Sequence, residues 1–194
     1  MSGMTYRCIM ADPPWPERGG GKIKRGADRH YPLMSVNQIR DLPVRWVADD
    51  SGSHLYLWTT NNFLLAALEV MSAWGFRYVT NIAWGKVRND KIQMGLGQYF
   101  RGSHELCLFG VRGKQPAIKP ALSLMLAPRT KHSRKPAEIF SVAEQVSPGP
   151  RLELFSREPR EGWDSLGNEV DGRDIASSLL DIAHASLPLD DAGQ

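Results

Sequence analysis

Four consecutive residues, Asp12, Pro13, Pro14 and Trp15, bring together a carboxylate, two carbonyls on residues that carry no competing N–H, and a large aromatic face. An amino group conjugated to an aromatic ring, such as that of adenine, is a poor nucleophile because its lone pair is delocalised. Acceptors aimed at its hydrogens return electron density to nitrogen as an electrophile arrives, and so favour charge that develops only in the transition state. Asp12 and the carbonyl of Pro13 or Pro14 are suited to that task, with Trp15 as a stacking face for an extruded base. Asp-Pro-Pro alone equally describes a turn that ends a strand. The tryptophan that follows and the apolar run that precedes, Tyr6 to Ala11, favour the chemical reading.

The elements that would position this segment follow from periodicity. Tyr6 to Ala11 predicts a buried strand broken by the two prolines, which places Asp12 at its tip. Ser35 is a cap for a short helix to Leu42, His54 to Trp58 predicts a second strand, and Leu64 to Trp74 a helix ended by Gly75. Phe76 to Trp84 and Glu105 to Val111 read as further strands, Ala117 to Pro128 as a less regular stretch, and Pro136 to Val146 as a helix with proline in its first turn. Arg151 to Ser156 predicts a last strand, Glu158 to Asp164 a polar turn, and Leu166 to Asn168 a short closing element. Strands alternating with helices predict an open α/β sheet with ligands at its carboxyl edge.

Two stretches are dense in bases. Residues 16–32 hold four glycines with Arg18, Lys22, Lys24, Arg25 and Arg29, and the stretch Gly85 to Ser103 holds Lys86, Arg88, Lys91 and Arg101. Both are expected as loops flanking the pocket, where cations neutralise phosphates and Tyr31, Trp84, Tyr99 and Phe100 offer stacking faces. For Tyr31 and Tyr99 a core role is equally open, whereas Trp58, Trp74 and Phe76 are expected in the core. The net charge of +3 conceals an asymmetry, since from Glu169 onward six acids face one base, leaving −5 there and +8 on the rest. A basic body suits a polyanionic partner.

Length and apolar content suit one domain, and the absence of a long apolar run or signal pattern predicts a cytoplasmic protein without a membrane association. Cys8 and Cys107, both within apolar runs, are expected as buried thiols. No G-x-G-x-x-G follows a strand, and Gly19-Gly20-Gly21-Lys22 lacks the spacing and hydroxyl of a phosphate loop. His104-Glu105 has no second histidine at helical spacing, and no metal site is predicted.

Three segments taken together resemble the messenger-RNA adenosine methyltransferase family and its bacterial and phage relatives: Cys8 to Trp15, His132 to Glu138, and Leu152 to Arg157 followed by Gly162-Trp163 and Leu166 to Glu169. The resemblance spans about residues 6–170. It implies a Rossmann-like α/β fold that uses S-adenosylmethionine, in a permuted order with the catalytic segment ahead of the cofactor segment. It implies that Asp12 contacts the target amine and the methionine moiety, that Pro13, Pro14 and Trp15 complete the base pocket, and that Lys135 holds the cofactor carboxylate. It further implies Arg157 and Asn168 at the cofactor ribose, Ile9 at the adenine end and Glu169 on ribose hydroxyls, a carboxylate being the usual acceptor for a vicinal diol. Methylation of adenine in nucleic acid is thus expected, DNA being favoured over RNA by resemblance to compact bacterial and phage modifiers. A catalytically silent nucleic-acid-binding partner is the contrasting reading, disfavoured because Asp12 and Trp15 are both retained. The domain is expected over 1–170. Residues 171–194 are read as an acidic tail carrying one amphipathic helix from Ile175 to Leu187, serving as a homodimer contact or left disordered.

Overall fold

The computed structural model describes residues 5–16, 33–97, 99–129 and 134–186. Its centre is an eight-stranded sheet. The strands are β1 (Cys8–Ala11), β2 (Gly52–Thr59), β3 (Arg77–Arg88), β4 (Lys91–Ile92), β5 (His104–Gly113), β6 (Leu124–Pro128), β7 (Arg151–Leu154) and β8 (Asp164–Leu166). They lie in the order β4-β3-β5-β2-β1-β7-β8, with β6 also paired to β3. β1 runs parallel to β2 and β7, and β8 parallel to β7, while β5 is antiparallel to both β2 and β3. From β1 the chain builds outward through β2 and β3, then returns to the opposite side of β1 with β7 and β8. Strand order therefore reverses at β1, and the crevice at such a reversal is where open α/β sheets bind ligands. This is the Rossmann-like α/β arrangement expected from the sequence.

Alternation along the strands sets two cores. Ile9 and Ala11 face one side with Leu55, Leu57, Leu152 and Leu154, where α1 (Val36–Arg40), α2 (Leu64–Ala73) and α5 (Ile175–Ser186) contribute Ile39, Val70, Met71, Ile175 and Leu179. Cys8 and Met10 face the other side with Tyr56, Trp58, Ile82, Trp84 and Cys107, covered by Ile139, Phe140 and Ala143 of α3 (Glu138–Val146). Period-two alternation is what a strand buried on both faces requires. Asp12 continues the parity of Cys8 and Met10. A short helix, α4 (Asn168–Asp171), follows β8.

Locally strong signals gave the expected elements. Ser35 caps α1 in a full capping box, its hydroxyl accepting from the Gln38 N–H while the Gln38 side chain accepts from the Ser35 N–H. Gly75 follows α2 at φ 85°, a value that suits glycine. The stretch 85–103 differs from the loop expected of it. β3 continues to Arg88 and β4 pairs back on it, so Lys86, Arg88 and Lys91 stand on strands, Lys86 drawn into extended form by pairing with Ala127 of β6, and Arg88 and Lys91 by pairing with each other. The irregular segment before Pro128 likewise contains β6. Cys8 and Cys107 are buried, as expected, and burial pushes the Cys8 thiol up to about 12. Trp58, Trp74 and Phe76 are core residues, as is Trp84, which donates its indole N–H to the Ala127 carbonyl at 3.0 Å and so presents no stacking face. Among the described residues no helix is long and apolar enough to cross a membrane, and no cluster of metal-ligating side chains occurs.

Candidate active site

Every described strand parallel to β1 delivers its carboxyl end to one edge of the sheet, and β5 begins there because it runs the other way. Asp12 follows β1 at this edge. The segment after it is turned tightly: the Trp15 N–H donates to the Pro13 carbonyl at 2.8 Å, and the Met34 N–H to the Pro14 carbonyl at 3.1 Å. Each carbonyl thus already accepts one hydrogen bond and retains a second lone pair. Pro13 is buried and Pro14 lines the crevice, so Pro14 is the better placed acceptor.

Trp15 departs from the expectation of a stacking face. It is 6% exposed, its indole N–H donates to the Trp58 carbonyl at 2.9 Å, and its ring stacks on Phe63 with centroids 5.7 Å apart. It ties the segment from Asp12 to Trp15 to the end of β2. Ile9 is fully buried at β1, beside Leu55 and Leu152, and lines neither cavity described below, in contrast to the ligand contact expected of it.

A chain of alternating charges surrounds Asp12. The Lys135 ammonium lies 2.8 Å from the Asp12 carboxylate and 3.4 Å from Glu105, and Glu105 lies 2.5 Å from the Lys86 ammonium. Trp58 and Trp84, packed edge to face, support the two ammonium groups at 5.5 and 5.2 Å from their rings. The two acids part company electrostatically. Burial raises the Asp12 carboxyl above the usual range despite Lys135. Burial also works against ionised Glu105, but the charges of Lys135 and Lys86 outweigh it and hold that group below the usual range. Asp12 is therefore the stronger proton acceptor of the pair, and Lys86 is an internal partner rather than a phosphate contact.

Two cavities meet at this point, both lined by Asp12, Phe155 and Arg157. The larger, of about 510 Å³, adds Pro14, Asn168 and Glu169 from the sequence-based set, together with Leu33, Met34 and Ile175. The smaller, of about 220 Å³, adds Lys135 with Arg134, Glu153 and Arg160. Phe155 follows β7 at φ 63°, a left-handed conformation unusual for a bulky residue, and so turns the chain where the cavities join. Gly167 allows the ends of β7 and β8 to approach, since a Cβ there would lie 2.1 Å from the Ser156 carbonyl oxygen. Arg157 sits 3.7 Å from Glu169 in a loose ion pair. Glu105, Phe155 and Arg134 were not anticipated. An acid opening an otherwise apolar strand at Glu105 was the available signal; nothing local marks the other two.

Of the basic residues expected to meet a polyanion, Arg88, Lys91, Tyr99 and Arg101 are exposed, Tyr99 and Phe100 at over 90%. Arg101 donates to the Gly95 carbonyl at 2.6 Å, and Gly95 and Gly102 close the neck of their loop. Lys22, Lys24, Arg25, Arg29 and Tyr31 lie outside the described residues.

The profile of the MT-A70 family matches residues 6–169. The chain is 29% identical over 177 residues to the human N(6)-adenosine-methyltransferase catalytic subunit METTL3, covering 86% of this chain and 28% of that protein. It is 30% identical over 195 residues to an MT-A70-like N(6)-adenosine-methyltransferase of Arabidopsis thaliana, covering 95% of this chain and 27% of the relative. It is 28% identical over 189 residues to the type II methyltransferase M.MunI of Mycoplasma sp, covering 85% of this chain and 78% of that protein. The chain thus spans little more than a quarter of the length of the adenosine methyltransferases it resembles.

Proposed function

Because the chain belongs to the MT-A70 family, we propose that it transfers a methyl group from S-adenosylmethionine to the exocyclic amino group of adenine in a nucleic acid. The observation that carries this reading is the placement of Asp12, a carboxylate of raised basicity, on the wall common to two cavities at the strand-order reversal. DNA is the favoured polymer, in line with the resemblance to bacterial and phage modifiers and with similarity to a type II methyltransferase over most of its length. Action on cellular nucleic acid accords with a cytoplasmic protein.

The residues present fit the cofactor. A cavity of about 510 Å³ is of ligand size, and it combines a carboxylate and an amide for ribose hydroxyls, Glu169 and Asn168, with apolar walls. Lys135, with Arg134 nearby, would take the carboxylate end from the smaller cavity. When bound, the cofactor supplies an electrophilic methyl on a sulfonium. Asp12 accepts one amino hydrogen of the target and the Pro14 carbonyl can accept the other, which raises electron density on nitrogen as the new bond forms. Lys135 works against the rise that burial imposes on Asp12 and so favours its ionised form. Asp12 is the better acceptor of the two acids for the proton shed after transfer, because Lys135 and Lys86 hold the Glu105 pKa down and that group competes poorly for it. Nothing in this sequence needs a covalent enzyme intermediate.

The test is transfer of radiolabelled methyl to matched DNA and RNA oligonucleotides, single- and double-stranded, followed by nucleoside analysis. Label is expected in methyladenine and is expected to fall at least about a hundredfold in Asp12→Ala with the fold retained. No incorporation from a folded protein that binds the cofactor would overturn the catalytic reading in favour of a silent partner. Loss of fold in Asp12→Ala would make the segment a structural turn.

A further inference from the structure

Four residues that line the larger cavity, Gly172, Arg173, Asp174 and Ile175, lie beyond residue 169, where the family match ends. They are firmly held. Gly172 turns the chain at φ 70° after α4, and the Arg173 N–H donates to the Asp171 carboxylate at 3.0 Å. The Arg173 guanidinium is paired with Asp181, one and a half turns into α5. Asp174 accepts from the Ser177 N–H at 2.9 Å and from its hydroxyl at 3.2 Å. Ile175 and Leu179 are buried in the same core as β1 and β7. The segment expected as an acidic appendage thus carries α5, whose Ile175, Leu179, Ile182 and Ala183 pack on this core, and its start closes one side of the crevice.

We propose that residues 172–175, held in place by α5, form the wall against which the nucleoside half of the methyl donor binds, with Ile175 supplying the apolar surface for the purine. This assignment rests on the methyl-donor reading above. The two cavities differ in chemistry in the way the two ends of that donor differ. The smaller is lined by Arg134, Lys135, Glu153 and Arg160, which suit a charged amino-acid end; Glu153 and Arg160 face each other at 3.7 Å, an ion pair too long for a hydrogen bond. The larger presents Leu33, Met34, Phe155 and Ile175, which suit a purine. Asp12 lies on the wall of both, where the sulfonium between the two ends must come. The start of α5 is thus a part of the donor site.

The test is isothermal titration of the full chain with S-adenosylhomocysteine and with 5′-methylthioadenosine, which lacks the amino-acid end. Ile175→Ala is expected to weaken both by about tenfold, the order expected when two or three methyl-sized groups leave an apolar contact. Asp181→Asn, exposed and outside the cavity, is expected to weaken both by about threefold through release of Arg173, and it keeps the test open should Ile175→Ala fail to fold. Lys135→Ala is expected to weaken S-adenosylhomocysteine while leaving 5′-methylthioadenosine within twofold. Wild-type binding that survives substitution at both 175 and 181 overturns this assignment alone, as does a loss confined to oligonucleotide affinity, which would place the target base here instead. Failure of the wild-type chain to bind either compound overturns the methyl-donor reading and this assignment with it.

Discussion

Asp12 and Glu105 are two carboxylates sharing one lysine, and their environments push them in opposite directions. In the proposed transfer Asp12 must be ionised to accept from an amine, so activity is expected to fall as pH falls through its pKa, which lies above the usual carboxylate range. Lys135 opposes that rise and Glu105 adds to it. Lys135→Met is therefore expected to move the acidic limb of the kcat/KM profile to higher pH, by about one unit or more, and Glu105→Gln to move it to lower pH. Profiles of the two variants against wild type check the sign at once. An acidic limb that stays put in both would mean that a different group governs it. Asp12 was legible in the sequence because a strand tip, two prolines and a tryptophan are local features. Glu105 was not, because its meaning depends on Lys135, thirty residues away along the chain and 3.4 Å away in space. The proper place of Trp15 was hidden for the same reason: an indole reads as a stacking face until its N–H finds the Trp58 carbonyl.

At the scale of elements, the site exists because the ends of β7 and β8 come together under it. Tyr6 donates its hydroxyl to Asp164 at 2.7 Å, which ties β8 to the segment preceding β1. Gly167 then passes so close to Ser156 that no side chain fits. Gly167→Ala is expected to part the two strand ends, costing about 1–3 kcal/mol of stability and weakening S-adenosylhomocysteine binding at the same time. Thermal melts with and without that compound measure both; a variant as stable as wild type with unchanged affinity would show that the strand ends can separate freely. Elements with local signals, such as the capped α1 and the apolar β2, were readable from sequence. The continuation of β3 to Arg88 and the edge strand β6 were not, since polar residues such as Lys86 and exposed ones such as Leu124 and Leu126 are extended only because β3 and β6 pair with each other.

For the molecule as a whole, the sheet is held on its far side by a buried polar network. The two ring nitrogens of His54 bond to the Ser147 hydroxyl and the Gln115 carbonyl at 2.8 Å, Tyr56 shares the same hydroxyl, and Arg7 donates to the Gln115 side chain at 2.6 Å. Burial, with Arg7 nearby, lowers the pKa of His54. The unfolded chain then binds a proton at a higher pH than the folded one, so this stability is present above the ordinary histidine value and is lost as pH falls below it. Urea midpoints are expected to decline from pH 7.5 to 5.5, with a slope of at most about 1.4 kcal/mol per pH unit from this group. His54→Gln should remove that part of the decline, and an unaltered slope would assign it elsewhere. The opposite end of the molecule is organised differently. The loop carrying Tyr99 and Phe100 is sealed at its neck by hydrogen bonds within itself, from the Gly95 N–H to Gly102 and from the Gly102 N–H to Leu96. A segment closed in this manner can be lengthened, shortened or exchanged while the four-residue β1 that aims Asp12 keeps its register. The loop can therefore diversify as an interchangeable cassette, with the sheet beneath it inherited unaltered.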